Sequence, residues 1–166
     1  GQYGGAIDRI DQHGQVNKAY IKLNNGLISL TAHDDILYCH AYISGSKSRI
    51  HVYDLNNGVQ KTSLESPGYK FAGNRITMLA RNQLAVSDWA STQIIIYTLT
   101  GDLIRRVPCH PSLTMTNVLC MSSCGDDSVV ISDFRAEKVV RMSLKDGSLL
   151  WSSDGVTNPG GIVHHP

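Results

Sequence analysis

The sequence predicts an all-β fold of the β-propeller class, in which four-stranded antiparallel sheets (blades) follow one another along the chain. Short runs rich in Val, Ile and Tyr alternate with turn residues, and no stretch shows the apolar period of a helix. One phrase occurs twice: a strand ending in Ser87-Asp88 is followed about 45 residues later by a strand ending in Ser132-Asp133. Turn glycines recur at nearly the same spacing, at Gly14, Gly58, Gly101 and Gly147. A β-sandwich is the main rival, but it would not repeat one phrase at a fixed spacing.

The repeat divides the chain into three full blades and two partial ones. Each full blade is expected to hold four short strands, with linkers that contain Pro or Gly between blades. The full blades cover residues 26–64, 74–107 and 117–152, and the partial ones cover 6–21 and 158–166, with a first strand at Gly161–Val163. We therefore expect one propeller domain over residues 1–166, with an incomplete ring and exposed strand edges.

The turn before the last strand of the first full blade carries a strong hairpin signal. Asn57-Gly58 lies between two apolar runs and favours a type I′ turn, which needs positive φ at both central residues.

Composition limits the classes of function. A formal net charge of +1 over 166 residues gives no general basic field for nucleic acid. The N-terminus lacks the apolar core of a signal peptide, and no apolar run is long enough for a membrane span. The start at Gly1, without an initiator Met, suggests a fragment. Free thiols in a cytoplasmic protein are expected because the four cysteines form no CxxC pair.

An Asp precedes a polar loop at the end of both repeated phrases. The carboxylates of Asp88 and Asp133 can accept backbone N–H bonds from the loops that they begin, as Asp commonly does in turns. Recurrence in two blades favours this architectural role over a catalytic one. The first full blade has Ala41 at this position, so its loop must be ordered differently.

An aromatic residue follows each of these three positions: Tyr42, Trp89 and Phe134. One interpretation packs the rings as wedges between adjacent blades. The other displays them on one face, where they could anchor a peptide or stack on a base. Basic residues flank the equivalent loops and would share that face, although a merely solvated surface also explains them.

Three segments carry a family resemblance. They are Ile-Ser-Asp-Phe…Lys-Val-Val-Arg-Met…Asp-Gly-Ser-Leu-Leu-Trp at 131–151, Val-Ser-Asp-Trp…Ile-Ile-Ile-Tyr…Gly-Asp-Leu-Ile at 86–104, and Asn-Pro-Gly-Gly-Ile-Val-His-His-Pro at 158–166. These segments resemble NHL repeats, which build the propellers at the C-terminus of tripartite-motif proteins. The resemblance extends roughly over residues 26–166. It implies a ring of about six blades, and a recognition platform for protein or RNA whose ubiquitin transfer belongs to a RING domain elsewhere in a parent protein.

The sequence thus predicts a non-catalytic interaction module with a partner-binding surface and with no cofactor or metal. The candidate binding residues are Tyr42, Lys47, Arg49, Trp89, Phe134, Arg135 and Lys138. A protein is the expected partner and RNA is the alternative, whereas neither a membrane nor a small-molecule substrate is expected.

Two metal hypotheses stand beside this prediction. Propeller lactonases and an amidating lyase hold a metal on the propeller axis, so a metal-dependent hydrolase or lyase that uses Asp88 and Asp133 is the alternative from another class. A zinc site built from Cys109, His110, Cys120 and Cys124 is disfavoured by the spacing of these residues.

Overall fold

A computed structural model describes residues 5–23, 26–44, 47–64, 73–88, 91–113, 118–125 and 127–163, apart from the side chains of residues 44, 47, 73 and 74. Regular secondary structure within these residues consists of strands alone. The strands are β1 (Gly5–Ile10), β2 (Val16–Leu23), β3 (Leu27–His33), β4 (Ile36–Ser44), β5 (Lys47–Asp54), β6 (Gln60–Leu64), β7 (Gly73–Leu79), β8 (Gln83–Asp88), β9 (Gln93–Thr98), β10 (Leu103–Pro108), β11 (Val118–Ser123), β12 (Ser128–Asp133), β13 (Lys138–Ser143) and β14 (Leu149–Asp154).

These strands form three four-stranded sheets and one two-stranded sheet. Strands that are consecutive in sequence pair antiparallel, in the orders β3-β4-β5-β6, β7-β8-β9-β10 and β11-β12-β13-β14, with β1-β2 as a hairpin. This up-and-down connectivity is that of propeller blades, and it confirms the predicted all-β class with three full blades and a partial N-terminal one.

The chain divides into two compact units. Gly1–Lys70 contains the β1–β2 hairpin and the β3–β6 sheet, and Phe71–Pro166 contains the other two sheets. The assignment of residues 1–166 to one domain stays a prediction.

The core of the second unit lies between its two sheets. Strands β8 and β9 are buried along nearly their whole length, as expected for continuous apolar runs covered on both faces. Ile94 and Ile96 of β9 pack with Ile131 of β12 and with Val140 and Met142 of β13, all completely buried. Burial of one such side chain contributes about 1.5–3 kcal/mol, so the isoleucine-rich β9 joins the two sheets.

In the first unit, the hairpin packs against the sheet that follows it. Ile21 and Leu23 of β2 share a buried cluster with Leu37 and Cys39 of β4 and Tyr53 of β5. An isolated two-stranded hairpin is marginally stable in water, so this contact accounts for the ordered β1–β2 pair.

The turn between β5 and β6 differs from the type I′ turn that Asn57-Gly58 predicts. Within this turn only Gly58 has a positive φ, +71°. The N–H of Gly58 donates to the carbonyl oxygen of Asp54 (2.8 Å), and the N–H of Asp54 donates to that of Val59 (2.9 Å), so the bonded pair Asp54 and Val59 encloses four residues. The wider turn forms because the Asp54 carboxylate also accepts the N–H of Asn56 (2.8 Å).

The turn glycines of two sheets lie against the outer strand of the preceding structure. A Cβ on Gly58 would stand 3.0 Å from the carbonyl oxygen of Tyr20 in β2. A Cβ on Gly147, in the turn between β13 and β14, would stand 1.9 Å from the carbonyl oxygen of Pro108 in β10. Both glycines are therefore required for close approach as well as for positive φ.

The strand expected at Gly161–Val163 is absent, because residues 155–163 adopt no strand. Side chains of the β11–β14 sheet instead bind the carbonyl groups of this segment. Ser132 Oγ donates to the Gly160 oxygen (2.8 Å), and Cys120 Sγ donates to the Ile162 oxygen (3.4 Å). Residues 164–166 of the predicted partial blade lie outside the described residues.

Candidate binding surfaces at the connections between second and third strands

Two buried carboxylates end the second strands of the sheets in the second unit. Asp133 in β12 is completely buried, and its Oδ1 accepts a 3.1 Å hydrogen bond from the N–H of Ala136 in the following turn. Asp88 in β8 is 1% exposed, and its Oδ2 accepts a 2.6 Å hydrogen bond from Ser91 Oγ. Both carboxylates therefore stabilise the connection that follows them. Asp133 accepts a backbone N–H of its loop, as the sequence predicts, and Asp88 accepts a loop hydroxyl.

The serine before each of these carboxylates is also buried, and its role was not expected from the sequence. Ser87 Oγ accepts a 3.0 Å hydrogen bond from the N–H of Arg75, where the register between β7 and β8 shifts. Ser132 Oγ binds the Gly160 carbonyl oxygen. A bulge interrupts the backbone ladder, so a nearby hydroxyl can satisfy a group that the ladder leaves unpaired. The repeated Ser-Asp pair was the available signal for this role.

The first unit has a histidine where the other two sheets have this serine. His40 is completely buried in β4, and its Nε2 lies 2.6 Å from Ser48 Oγ at the start of β5. The imidazole thus joins the two strands on either side of the connection, at the point where Ala41 replaces the capping Asp.

Phe134, Arg135 and Lys138 lie together at one end of the β11–β14 sheet. Phe134 is 38% exposed and Arg135 is exposed in the turn after β12. Lys138 is half-buried at the start of β13, with its Nζ 3.2 Å from Oδ1 of the exposed Asp154. Such a surface ion pair contributes at most about 1 kcal/mol, but it gives Lys138 a structural explanation.

Tyr42 and Arg49 lie at the corresponding end of the β3–β6 sheet. Tyr42 is 45% exposed, and its N–H donates to the carbonyl oxygen of Gly26 (2.8 Å). Arg49 pairs with Ala41 across β4 and β5 and is half-buried. Lys47 begins β5, but its side chain is outside the described part of the chain.

At two of the three positions, the exposure of the aromatic residue favours a side chain displayed on the surface over one packed between blades. Tyr42 and Phe134 are both accessible at the connection between second and third strands. Trp89, the third predicted aromatic, lies outside the described residues. Because Tyr42 and Phe134 belong to different compact units, they form two candidate surfaces, each defined within its own unit.

The surroundings of the cysteines do not favour a metal site. Burial raises the pKa of the Cys39 and Cys109 thiols to about 12, which favours the protonated form that does not bind metal. Cys120 donates to the Ile162 carbonyl oxygen, and His110 Nδ1 lies 2.8 Å from Ser112 Oγ. Across the described ranges, no group of three or more His, Cys, Asp or Glu side chains is arranged to hold a metal ion.

The described residues contain no helical segment with the length and hydropathy of a membrane span.

No protein-family model matches the chain, and comparison with curated proteins finds no match. Solved structures do match. A streptogramin B lyase structure superposes with a TM-score of 0.66 and 16% identity, covering 95% of this chain and 51% of the lyase. Virginiamycin B lyase from Staphylococcus aureus gives a TM-score of 0.67 and 14% identity, covering 95% and 53%. Glutaminyl cyclase from Myxococcus xanthus gives 0.59 and 17%, covering 83% and 62%.

At these identities the similarity shows the fold alone. The chain spans about half the length of the lyases that it matches. With its meander sheets, it has the fold of part of a β-propeller.

Proposed function

We propose that this chain is a propeller-type interaction module that binds a protein partner through the connections between the second and third strands of its blades. The observation that carries the proposal is the exposure of Tyr42 and Phe134 at this same structural position in two sheets. Aromatic side chains supply large contact areas at a small entropic cost, and they are enriched at the centres of protein interfaces.

The buried carboxylates support binding over catalysis at this position. Asp88 and Asp133 are each less than 2% exposed and accept hydrogen bonds from the loops that they precede. A catalytic metal or general base must reach the substrate, and these oxygens face their own loops instead. The similarity to the lyases and the cyclase therefore supports the fold on which the proposal rests, and no catalytic activity is inferred from it.

The charges near Phe134 favour a protein over RNA. Of the two predicted cations beside Phe134, Arg135 is exposed, whereas Lys138 is half-buried beside Asp154. RNA binders usually combine stacking rings with a positively charged groove. An exposed guanidinium beside an aromatic ring is typical of a protein contact, where Arg and aromatic residues are both enriched.

The proposal extends to the family that the sequence resembles. We infer an NHL-like propeller, since Ser-Asp ends the second strand of two blades and an aromatic residue comes next in the sequence. We infer a cytoplasmic protein because its four cysteines form no CxxC pair. Ubiquitin ligase activity, if the parent protein has it, would reside in other domains.

A photo-crosslinking experiment tests the proposal and separates it from RNA binding. A photoreactive phenylalanine analogue replaces Tyr42 or Phe134 in the full-length protein, inside the cells that produce it. The matched controls carry the same analogue at Val59, which is 59% exposed, and at Ile104, which is 42% exposed. Both control positions are accessible but lie away from the connections in question.

We expect adducts at Tyr42 and Phe134 that protease removes and ribonuclease leaves intact, with far weaker adducts at the two controls. Adducts removed by ribonuclease would replace the protein partner with RNA. Equal labelling at all four positions would overturn both forms of the proposal.

A further inference from the structure

The turn between β5 and β6 carries an Asn-Gly pair with a reactivity that partner binding does not use. Asn57 is exposed, and it precedes Gly58, which has no side chain to hinder its backbone nitrogen. In any Asn-Gly pair this nitrogen can attack the Asn side chain and displace ammonia, and water opens the resulting ring to aspartate or isoaspartate. Asparagine in such a pair is therefore chemically labile, and Asn57 is a candidate for this reaction.

The closed turn holds both of the reacting groups. The N–H of Gly58 donates to the carbonyl oxygen of Asp54 (2.8 Å), which protects it from the deprotonation that must precede attack. Asn57 Oδ1 accepts the N–H of Val59 (2.9 Å), which fixes the side-chain amide. Because Asp54 Oδ1 also accepts the N–H of Asn56 (2.8 Å), Asp54 anchors the turn at two points. The reaction at Asn57 therefore requires a local opening of this turn.

The turn between β13 and β14 already contains an aspartate at the place of Asn57. Asp146 precedes Gly147 there, and the φ values of Gly147 and Gly58 are +78° and +71°. Asp146 Oδ1 accepts the N–H of Ser148 (3.0 Å), which is the counterpart of the bond that Asn57 Oδ1 accepts (2.9 Å). An aspartate in this position is therefore compatible with the backbone of the turn.

The surroundings of Asn57 can accommodate a new negative charge. Asp54 would repel it, but Lys61 Nζ lies 3.1 Å from Asp54 Oδ2 and offsets that carboxylate. Arg9 donates from its guanidinium to the carbonyl oxygen of Leu55 (3.1 Å), so a second cation borders the same turn. Conversion of the Asn57 amide to a carboxylate therefore creates no isolated cluster of negative charge.

We propose that Asn57 is a site of spontaneous deamidation that reacts when the β5–β6 turn opens, and that the turn forms again around the aspartate product. A bond forms between the Gly58 nitrogen and Asn57 Cγ, the Cγ–Nδ2 bond breaks, and the side-chain nitrogen leaves as ammonia. Water then hydrolyses the succinimide, so the net reaction consumes water, releases ammonia and adds a negative charge to the first unit. The proposal does not depend on the binding surfaces at Tyr42 and Phe134.

The test incubates the full chain at about pH 8, in buffer and in urea, and follows deamidation by mass spectrometry of the proteolytic peptide that contains Asn57. Asn25, in the pair Asn25-Gly26, lies outside the described residues, and its peptide is scored separately. In urea we expect Asn57 to react as fast as in a synthetic peptide of residues 55–61. In the native chain we expect a rate at least about tenfold lower, because the turn is mostly closed.

Two variants separate the opening of the turn from the chemistry. Asp54→Ala removes the acceptor of the Asn56 N–H, so it should accelerate native deamidation of Asn57 roughly threefold to tenfold and leave the rate in urea unchanged. Asp102→Ala is the matched control, because Asp102 Oδ2 accepts the Thr100 hydroxyl (2.8 Å) in the β9–β10 turn. It should change neither rate. Unchanged amide dispersion in NMR spectra establishes that each variant is folded.

Two further variants test the product. Asn57→Asp should unfold at the same urea concentration as the parent, because a carboxylate oxygen can accept the Val59 N–H as the amide oxygen does. Asn57→Ala removes this acceptor and should unfold at a lower concentration. Any one of three results would overturn the proposal: equal rates in the native and unfolded chains, no greater acceleration by Asp54→Ala than by Asp102→Ala, or equal destabilisation by Asn57→Asp and Asn57→Ala.

Discussion

Gly147 lies so close to Pro108 that a Cβ on the glycine would stand 1.9 Å from the proline carbonyl oxygen. The turn of the third sheet thereby touches the backbone of the outer strand of the second. Gly147 also has a φ of +78°, which disfavours any L side chain.

We predict that Gly147→Ala lowers the free energy of unfolding by about 2–4 kcal/mol, because strain and a backbone clash act together. Gly155→Ala is the matched control, since Gly155 has a φ of +76° with no atom within 4 Å of the added Cβ. It should cost about 1 kcal/mol. Urea unfolding measures both, and equal losses would contradict the clash.

Removing the Asp133 carboxylate should destabilise the second unit. Asp133→Ala leaves the Ala136 N–H without its acceptor beside a fully buried position, which costs about 1–3 kcal/mol. Hydrogen exchange of the Ala136 amide should accelerate in the same variant. Asp154→Ala, at a side chain that is 74% exposed, is the control and should change stability by less than about 1 kcal/mol. A stable Asp133→Ala variant with unchanged exchange would contradict the capping role.

Asp146 should make the stability of the fold depend on pH under acidic conditions. Hydrogen bonds from the backbone N–H and hydroxyl of Ser148 lower the pKa of Asp146 from 3.8 to about 2. Since the folded pKa is depressed, the carboxylate stabilises the fold above pH 3.8, and this contribution disappears as the pH falls towards 2.

The variant Asp146→Asn should therefore unfold more readily than the parent at pH 5, and the difference should shrink between about pH 4 and pH 2. Chemical denaturation over this range measures the difference directly. A carboxyl NMR titration of Asp146 with its midpoint at the ordinary value would contradict the hydrogen-bond network.

The four cysteines should differ in reactivity towards a thiol reagent. Burial raises the pKa of Cys39 and Cys109 to about 12, so their thiolate fraction at pH 8 is on the order of one in ten thousand. In the native protein both should be alkylated far more slowly than in urea, as measured by mass spectrometry of the labelled peptides. Labelling of Cys39 at the same rate in the native and unfolded states would show that β4 is not buried as described.

The spacing of the turn glycines was sufficient to predict the sheets. Each of Gly58, Gly101 and Gly147 closes the connection between the third and fourth strands, and the positive φ that these turns require restricts them to glycine. The shape of the β5–β6 turn was not predictable from Asn57-Gly58 alone, because the Asp54 side chain widens it through a bond to Asn56.

The apolar pattern of Gly161–Val163 was also not enough to decide whether this segment forms a strand. An apolar run forms a strand only where a neighbouring backbone completes its ladder, and here the carbonyl oxygens of Gly160 and Ile162 accept hydrogen bonds from the Ser132 and Cys120 side chains. The candidate surfaces were predicted by position in the repeat. Exposure then distinguished Arg135 from the half-buried Lys138, and a linear sequence does not record solvent exposure directly.

The contacts of Gly58 with Tyr20 and of Gly147 with Pro108 have a consequence for engineering. In each case a turn of the later blade is shaped to fit the last strand of the earlier structure. A blade that is excised at its own first and last residues would lose the preceding strand against which its turn glycine packs. Grafting or shuffling should therefore move a turn together with the strand that precedes its blade, as one cassette whose boundaries fall inside two successive sheets.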